Sequence, residues 1–200
     1  MMKIENWMDF FRKYTEYKIF HFNHLKLITG MNGHTLRMAL KRLNDKKLIK
    51  RICRGYYINP FSTVMLEEVS AYIYEPSYIS LESALSRYGV LSQIPQVLTC
   101  VTTKLPRLFN TSMGAIEYRQ VKKIYFFGFV KENKYLIAEP EKAFLDLLYL
   151  EKSKGTEQRY SGFNLKGLNL KKLNNYAKKM KLCPRLKEWM TRSEGPLRTG

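Results

Sequence analysis

Two hundred residues with 45% hydrophobic content can bury a core in one large domain or two small ones, and 35 basic against 17 acidic residues leave a formal charge of +18. Solubility does not need that much charge, so a polyanionic partner is indicated, with nucleic acid the first candidate and a membrane surface the rival. No apolar run reaches spanning length and the opening MMKIENWMDF lacks a signal peptide's apolar core, so the sequence reads as a cytoplasmic protein with no membrane partner.

The charge is concentrated at the two ends. Residues 1–60 hold 13 basic and 4 acidic side chains, residues 61–149 hold 9 of each, and residues 150–200 again hold 13 and 4. A basic module at each end of a neutral scaffold fits that division. Cys53, Cys100 and Cys183 lie far apart and form no CxxC pair, which suggests neither a disulfide framework nor a zinc site. His21 and His24 have no carboxylate or thiolate beside them, so no metal and no other cofactor is expected.

In chain order, ENWMDFFRKYTEY spaces Trp7, Phe10, Phe11 and Tyr14 as one face of an amphipathic helix. HFNHLKLITG continues the rhythm through Phe22, Leu25 and Ile28 and stops at Gly30, which tolerates the left-handed backbone of a helix end. MNGHTLRMALKRLNDKKL predicts a third helix over 33–45, capped by Asn32, with Leu36, Ala39, Leu40 and Leu43 facing inward. RICRGYYIN then predicts a short hairpin turning at Gly55, with one of Tyr56 and Tyr57 packed on the helices and the other near the surface.

Helix, short helix, turn, helix and hairpin is the order of a winged helix-turn-helix. In that arrangement His34, Thr35, Arg37, Met38, Lys41 and Arg42 face the major groove, and Lys50, Arg51 and Arg54 of the wing meet the backbone. Arginine can bridge guanine O6 and N7, whereas lysine mainly holds phosphate, so Arg37 is the first choice for reading a base.

Farther on, STVMLEEVSAYIY predicts a helix, and YISLESALSRYGVL another, capped by Ser80 and stopping at Gly89. VLTCVTT, AIEYRQV, KIYFFGFV and KYLIA are β-branched and aromatic and predict strands of a small antiparallel sheet. EPEKAFLDLLYL predicts a helix with Pro140 at its first position and Glu139 and Glu141 at its positive end. The last helices are LNLKKLNNYAKKMKL and, after Pro184, RLKEWM; Lys171, Lys172, Lys178, Lys179 and Lys181 offer a second basic patch or an ordinary solvated face. The expected fold class is α+β: residues 1–60 a winged helix-turn-helix, 61–190 a mixed domain with flanking helices, and 191–200 a disordered tail.

PSYISLESALSRYGVLSQIP, the VTT at 101–103, IEYRQV with FFGF soon after, and IAEPEKAFLDLLYL together resemble the AbiEi antitoxin family, and a winged helix followed by RGYY is similar to that family's N-terminal module. The resemblance runs over residues 5–185, with the motifs in the family's order. It implies the antitoxin of a type IV toxin–antitoxin system, a transcriptional regulator of phage defence encoded beside a nucleotidyltransferase-like toxin. It further implies repression of its own operon through promoter repeats on double-stranded DNA, monomers pairing on half-sites, and a C-terminal domain that neutralises the toxin. It carries over no catalytic residues.

Enzymatic readings are weaker. Glu139, Glu141 and Lys142 suggest a nuclease's Glu-x-Lys element, but none of Asp9, Asp45 and Asp146 falls on the predicted strands where the partner carboxylate belongs. All three histidines lie in the first module, away from Ser80, Ser83 and Cys100, and no Gly-rich phosphate loop is present. The expectation is a non-enzyme with no catalytic residues. Two readings remain: a DNA-binding repressor and antitoxin, or a protein-interaction module that binds the toxin or another acidic partner directly.

Overall fold

Helix α1 (Ile4–Lys13) forms because Trp7 and Phe11 recur on one face, and that face is buried. The computed structural model of the protein describes residues 4–150, 163–164 and 167–193. After α1 come β1 (Ile19–His21), α2 (Phe22–Thr29), α3 (Gly33–Asp45), β2 (Lys50–Cys53) and β3 (Tyr56–Ile58). Gly30 takes φ +64° at the end of α2, and Asn32 caps α3 by accepting from Thr35 N at 2.9 Å. The inward stripe of α3 is Leu36, Ala39, Leu40 and Leu43, all buried with Trp7, Phe11, Phe20, Leu25, Ile49 and Tyr57 in one core.

Strand β1 was not expected. It pairs with β3 and makes the hairpin a three-stranded antiparallel sheet, ordered β1-β3-β2. The β2–β3 register slips between Arg51 and Cys53, leaving Ile52 in a bulge. The bulge turns Ile52 into the larger core of the second half, and its carbonyl accepts from Ser112 N at 2.9 Å. Tyr57 packs on the helices as expected. Tyr56 is half-buried, near the surface as expected, and packs against the second half with its ring 6.1 Å from that of Tyr72. The buried Asn59 side chain donates to the carbonyls of Phe11 (3.1 Å) and Tyr14 (2.9 Å), closing the end of α1 onto β3.

The second half comprises α4 (Leu66–Ile73), β4 (Ser77–Ile79), α5 (Leu81–Arg87), β5 (Leu98–Thr102), β6 (Arg107–Thr111), β7 (Gly114–Gln120), a 3₁₀ turn (Lys123–Tyr125), β8 (Phe129–Glu132), β9 (Tyr135–Ala138) and α6 (Pro140–Leu150), then α7 (Leu170–Met180) and α8 (Cys183–Ser193). The architecture is α+β, but the second sheet is not the small antiparallel one expected. It has six strands in the order β6-β7-β5-β4-β9-β8, and β4/β9 and β5/β7 run parallel. The unexpected strand β6 causes this for one pair: it forms a hairpin with β7 on the outer side, so β7 returns alongside β5 in the same direction.

Local expectations also shift. Tyr78 and Ile79 belong to β4 rather than to the helix that follows. Ser80 precedes α5, yet its hydroxyl donates to Asp146 Oδ2 at 2.9 Å, while Thr99 Oγ1 accepts from Ser83 N at 3.1 Å in the capping role. KIYFFGFV does not form one strand: it breaks into a 3₁₀ turn and β8 around Gly128 at φ +72°. A Cβ there would meet Lys142 Cγ at 3.0 Å and Tyr176 at 3.2 Å, so covering Lys142 overrides strand propensity. Pro140 opens α6 as predicted, and α8 runs on to Ser193, into the segment expected to be tail; residues 194–200 lie outside the described residues.

The layers follow from the contacts. Tyr118 donates to Ser70 O of α4 at 2.7 Å from one sheet face, and Tyr78 donates to Asp146 of α6 at 2.8 Å from the other. The first sixty residues lie on the α4 side, joined by the Lys18–Glu68 ion pair at 2.7 Å and by Ile19 and Ile52 in the shared core. Helix α7 lies on the α6 side, where Glu139 accepts from Lys172 Nζ (2.5 Å) and Tyr176 Oη (2.6 Å), and Glu141 accepts from Asn169 N (2.8 Å).

Candidate nucleic-acid interface

The polar face of α3 and the outer face of the hairpin meet along an open cleft of about 800 Å³. Arg37 and Lys41 enter it from the helix, Arg51 and Arg54 from the hairpin, and His21 and Asn23 from the β1–α2 junction. Asn44 and Asp45 also line it, so one carboxylate sits among the four cations. The four cationic side chains are exposed, while the leucines on the opposite side of α3 are buried.

Two internal bonds set the shape of this surface. Asn44 Oδ1 accepts from Arg51 N at 3.0 Å, tying β2 to the last turn of α3. Arg51 Nε donates to Cys53 O at 3.2 Å, laying the side chain across the bulge. Arg37 folds back along its helix, with Nε donating to Gly33 O at 3.0 Å and the guanidinium 5.7 Å from the Phe22 ring. That bond uses Nε rather than the terminal nitrogens.

The other expected groove residues are placed less centrally. His34, Met38 and Arg42 are exposed on α3 and Thr35 is half-buried, but none of them lines the cleft. Lys50 is exposed and lines a different depression, of about 610 Å³, with Lys47 and Met113. The cleft therefore gathers Arg37, Lys41, Arg51 and Arg54 from the expected set. It adds His21 and Asn23, which were not among the residues expected from the sequence. The available signal was position: His21 immediately precedes α2, where a side chain is needed to cap the helix.

The second basic patch lies on the other side of the six-stranded sheet. Lys171, Lys178 and Lys181 are exposed there, Lys172 is paired with Glu139, and Lys179 Nζ sits 3.8 Å from the Phe127 ring centroid. The Glu139, Glu141 and Lys142 triplet that suggested a nuclease is engaged in packing: the glutamates hold α7, and Lys142 is buried against Asp146 and Tyr78. Among the described residues no group of three or more His, Cys, Asp or Glu side chains is placed to hold a metal, and no helix is long and apolar enough to cross a membrane.

No protein-family model matches the chain, and no curated protein matches it.

Proposed function

We propose that the protein is a DNA-binding autorepressor, with residues 1–60 acting as a winged helix-turn-helix, and that it is the antitoxin of a type IV toxin–antitoxin pair in phage defence. The observation that carries the DNA reading is the convergence of Arg37, Lys41, Arg51 and Arg54 on one open cleft between a helix and a hairpin. A 13-residue helix is roughly 20 Å long, and a helix of that kind fits the major groove of B-DNA. In this reading α3 lies in the groove, its leucines hold it to the core, and Arg37 Nη atoms meet a guanine edge. Lys41, Arg51 and Arg54 neutralise phosphates, and the Asn44–Arg51 bond keeps helix and wing in fixed register.

The bulge adds to this arrangement. With Ile52 buried in the second half and bonded to Ser112, the wing is held to the larger domain and so keeps its place on the backbone. The antitoxin half of the proposal draws on the resemblance of residues 76–150 to the AbiEi family, and a nucleotidyltransferase-like toxin is the partner it implies. Binding of the protein to a promoter fragment of its own operon, against scrambled DNA of equal length, tests the repressor reading: preference for the promoter is expected, and equal binding contradicts it.

A further inference from the structure

Three contacts fix the ring of His21, a residue that lines the cleft. Its Nδ1 accepts from Asn23 N at 3.2 Å, capping α2, which assigns the ring proton to Nε2. Its ring packs against Tyr56, with centroids 4.8 Å apart at 58°. Its Nε2 points over the hairpin turn, 3.6 Å from the place where a Cβ on Gly55 would stand. Gly55 sits at φ +86°, so its missing side chain both permits the turn and leaves Nε2 uncovered.

The surroundings of that N–H select its ligand. His21 lines the cleft together with Arg37, Arg51 and Arg54, and an anion is the group that all four can share. The backbone of the same corner is already used: Phe22 N donates to Gly55 O at 2.7 Å and Asn23 N to His21. The imidazole therefore presents outward a proton that the helix start cannot supply from its first two amides.

We propose that His21 Nε2–H, framed by Gly55 and flanked by Arg51 and Arg54, is a seat for one backbone phosphate of the bound duplex. This rests on the DNA reading above and gives that site a donor whose direction is fixed by the fold. The seat supplies register rather than charge: a phosphate bonded there sets the depth at which α3 enters the groove.

Capping and phosphate binding separate by substitution. His21→Asn keeps an oxygen acceptor for Asn23 N but is too short to carry a donor to the Nε2 position. The full-length variant should stay folded, melting modestly below the wild type because the Tyr56 contact is lost, and bind the promoter fragment roughly three- to tenfold more weakly. Because Arg37, Lys41, Arg51 and Arg54 are all kept, its affinity should fall with salt as steeply as that of the wild type. His21→Gln, which extends an N–H donor farther, should recover part of the loss. If His21→Asn binds as tightly as wild type, the seat is refuted and the arginine cleft stands. If the wild-type protein binds neither promoter nor random duplex, both fall together.

Discussion

The molecule handles cations in two opposite ways. In the α3–hairpin cleft, Arg37, Lys41, Arg51 and Arg54 are exposed beside a single carboxylate, Asp45. Under the six-stranded sheet, Lys142 and Asp146 are both 0% exposed and bonded to each other; Lys142 Nζ donates to Tyr78 Oη at 2.9 Å, and Tyr78 and Ser80 donate to Asp146 Oδ2. Burial pushes the Lys142 ammonium down and the Asp146 carboxyl up from their ordinary values, while each partner opposes the shift in the other. One region leaves its cations exposed to solvent, and the other has satisfied its cation internally. In the proposed reading, stability and binding fall to different charges, and substitutions should tell them apart.

The largest expected effect is at the buried pair. Asp146→Ala leaves the Lys142 ammonium without its counter-charge and should cost about 3–5 kcal/mol in denaturant unfolding. A loss under 1 kcal/mol would show that the pair is dispensable. Next, Asn59→Ala removes both bonds to the end of α1 and leaves the Phe11 and Tyr14 carbonyls to find other donors, at about 1–3 kcal/mol by the same measurement.

A smaller effect is expected in acid. Burial raises the carboxyl pKa of Glu68, but the bonds from Lys18 and Met65 N outweigh it and hold the group below its ordinary 4.5; Glu139 is likewise depressed, with Lys172 and Tyr176 overcoming burial. Groups with depressed folded values add stability that is fully present above 4.5 and drains as pH falls through the folded values. Thermal melts should therefore decline below pH 4.5, and Glu68→Gln should flatten part of that decline. The smallest effect on folding is expected at the cleft: Arg51→Ala with Arg54→Ala should change unfolding free energy by less than about 0.5 kcal/mol, because these side chains are exposed.

Much of the first module was legible because its signals are local. Asn32, the spacing of Leu36, Leu40 and Leu43, and the turn at Gly55 fix α3 and the hairpin from neighbours in sequence. Strand β1 was not legible: three residues that end immediately before a helix acquire their partner from Tyr56–Ile58, thirty-odd positions away. The parallel β4–β9 pairing depends on a still more distant contact, whereas β6 pairs with its neighbour β7 in a local hairpin whose strand the sequence pattern did not announce; KIYFFGFV broke because Gly128 had to close over Lys142. Within the site, the sequence pointed to the arginines and lysines but could not say that Lys50 turns to another depression, or that His21 joins them. In α6, apolar residues surround the helix, and Lys142 and Asp146, four apart on it, pair in the interior, a signal that the neighbouring Glu-x-Lys spacing masks.

The most direct test of the central claim is the salt dependence of promoter binding, measured between about 50 and 200 mM salt for the wild type and for the Arg51→Ala, Arg54→Ala variant. If both arginines neutralise phosphates, the slope of log affinity against log salt should become shallower by about 0.9 for each contact removed. Parallel slopes for the two proteins would contradict the account.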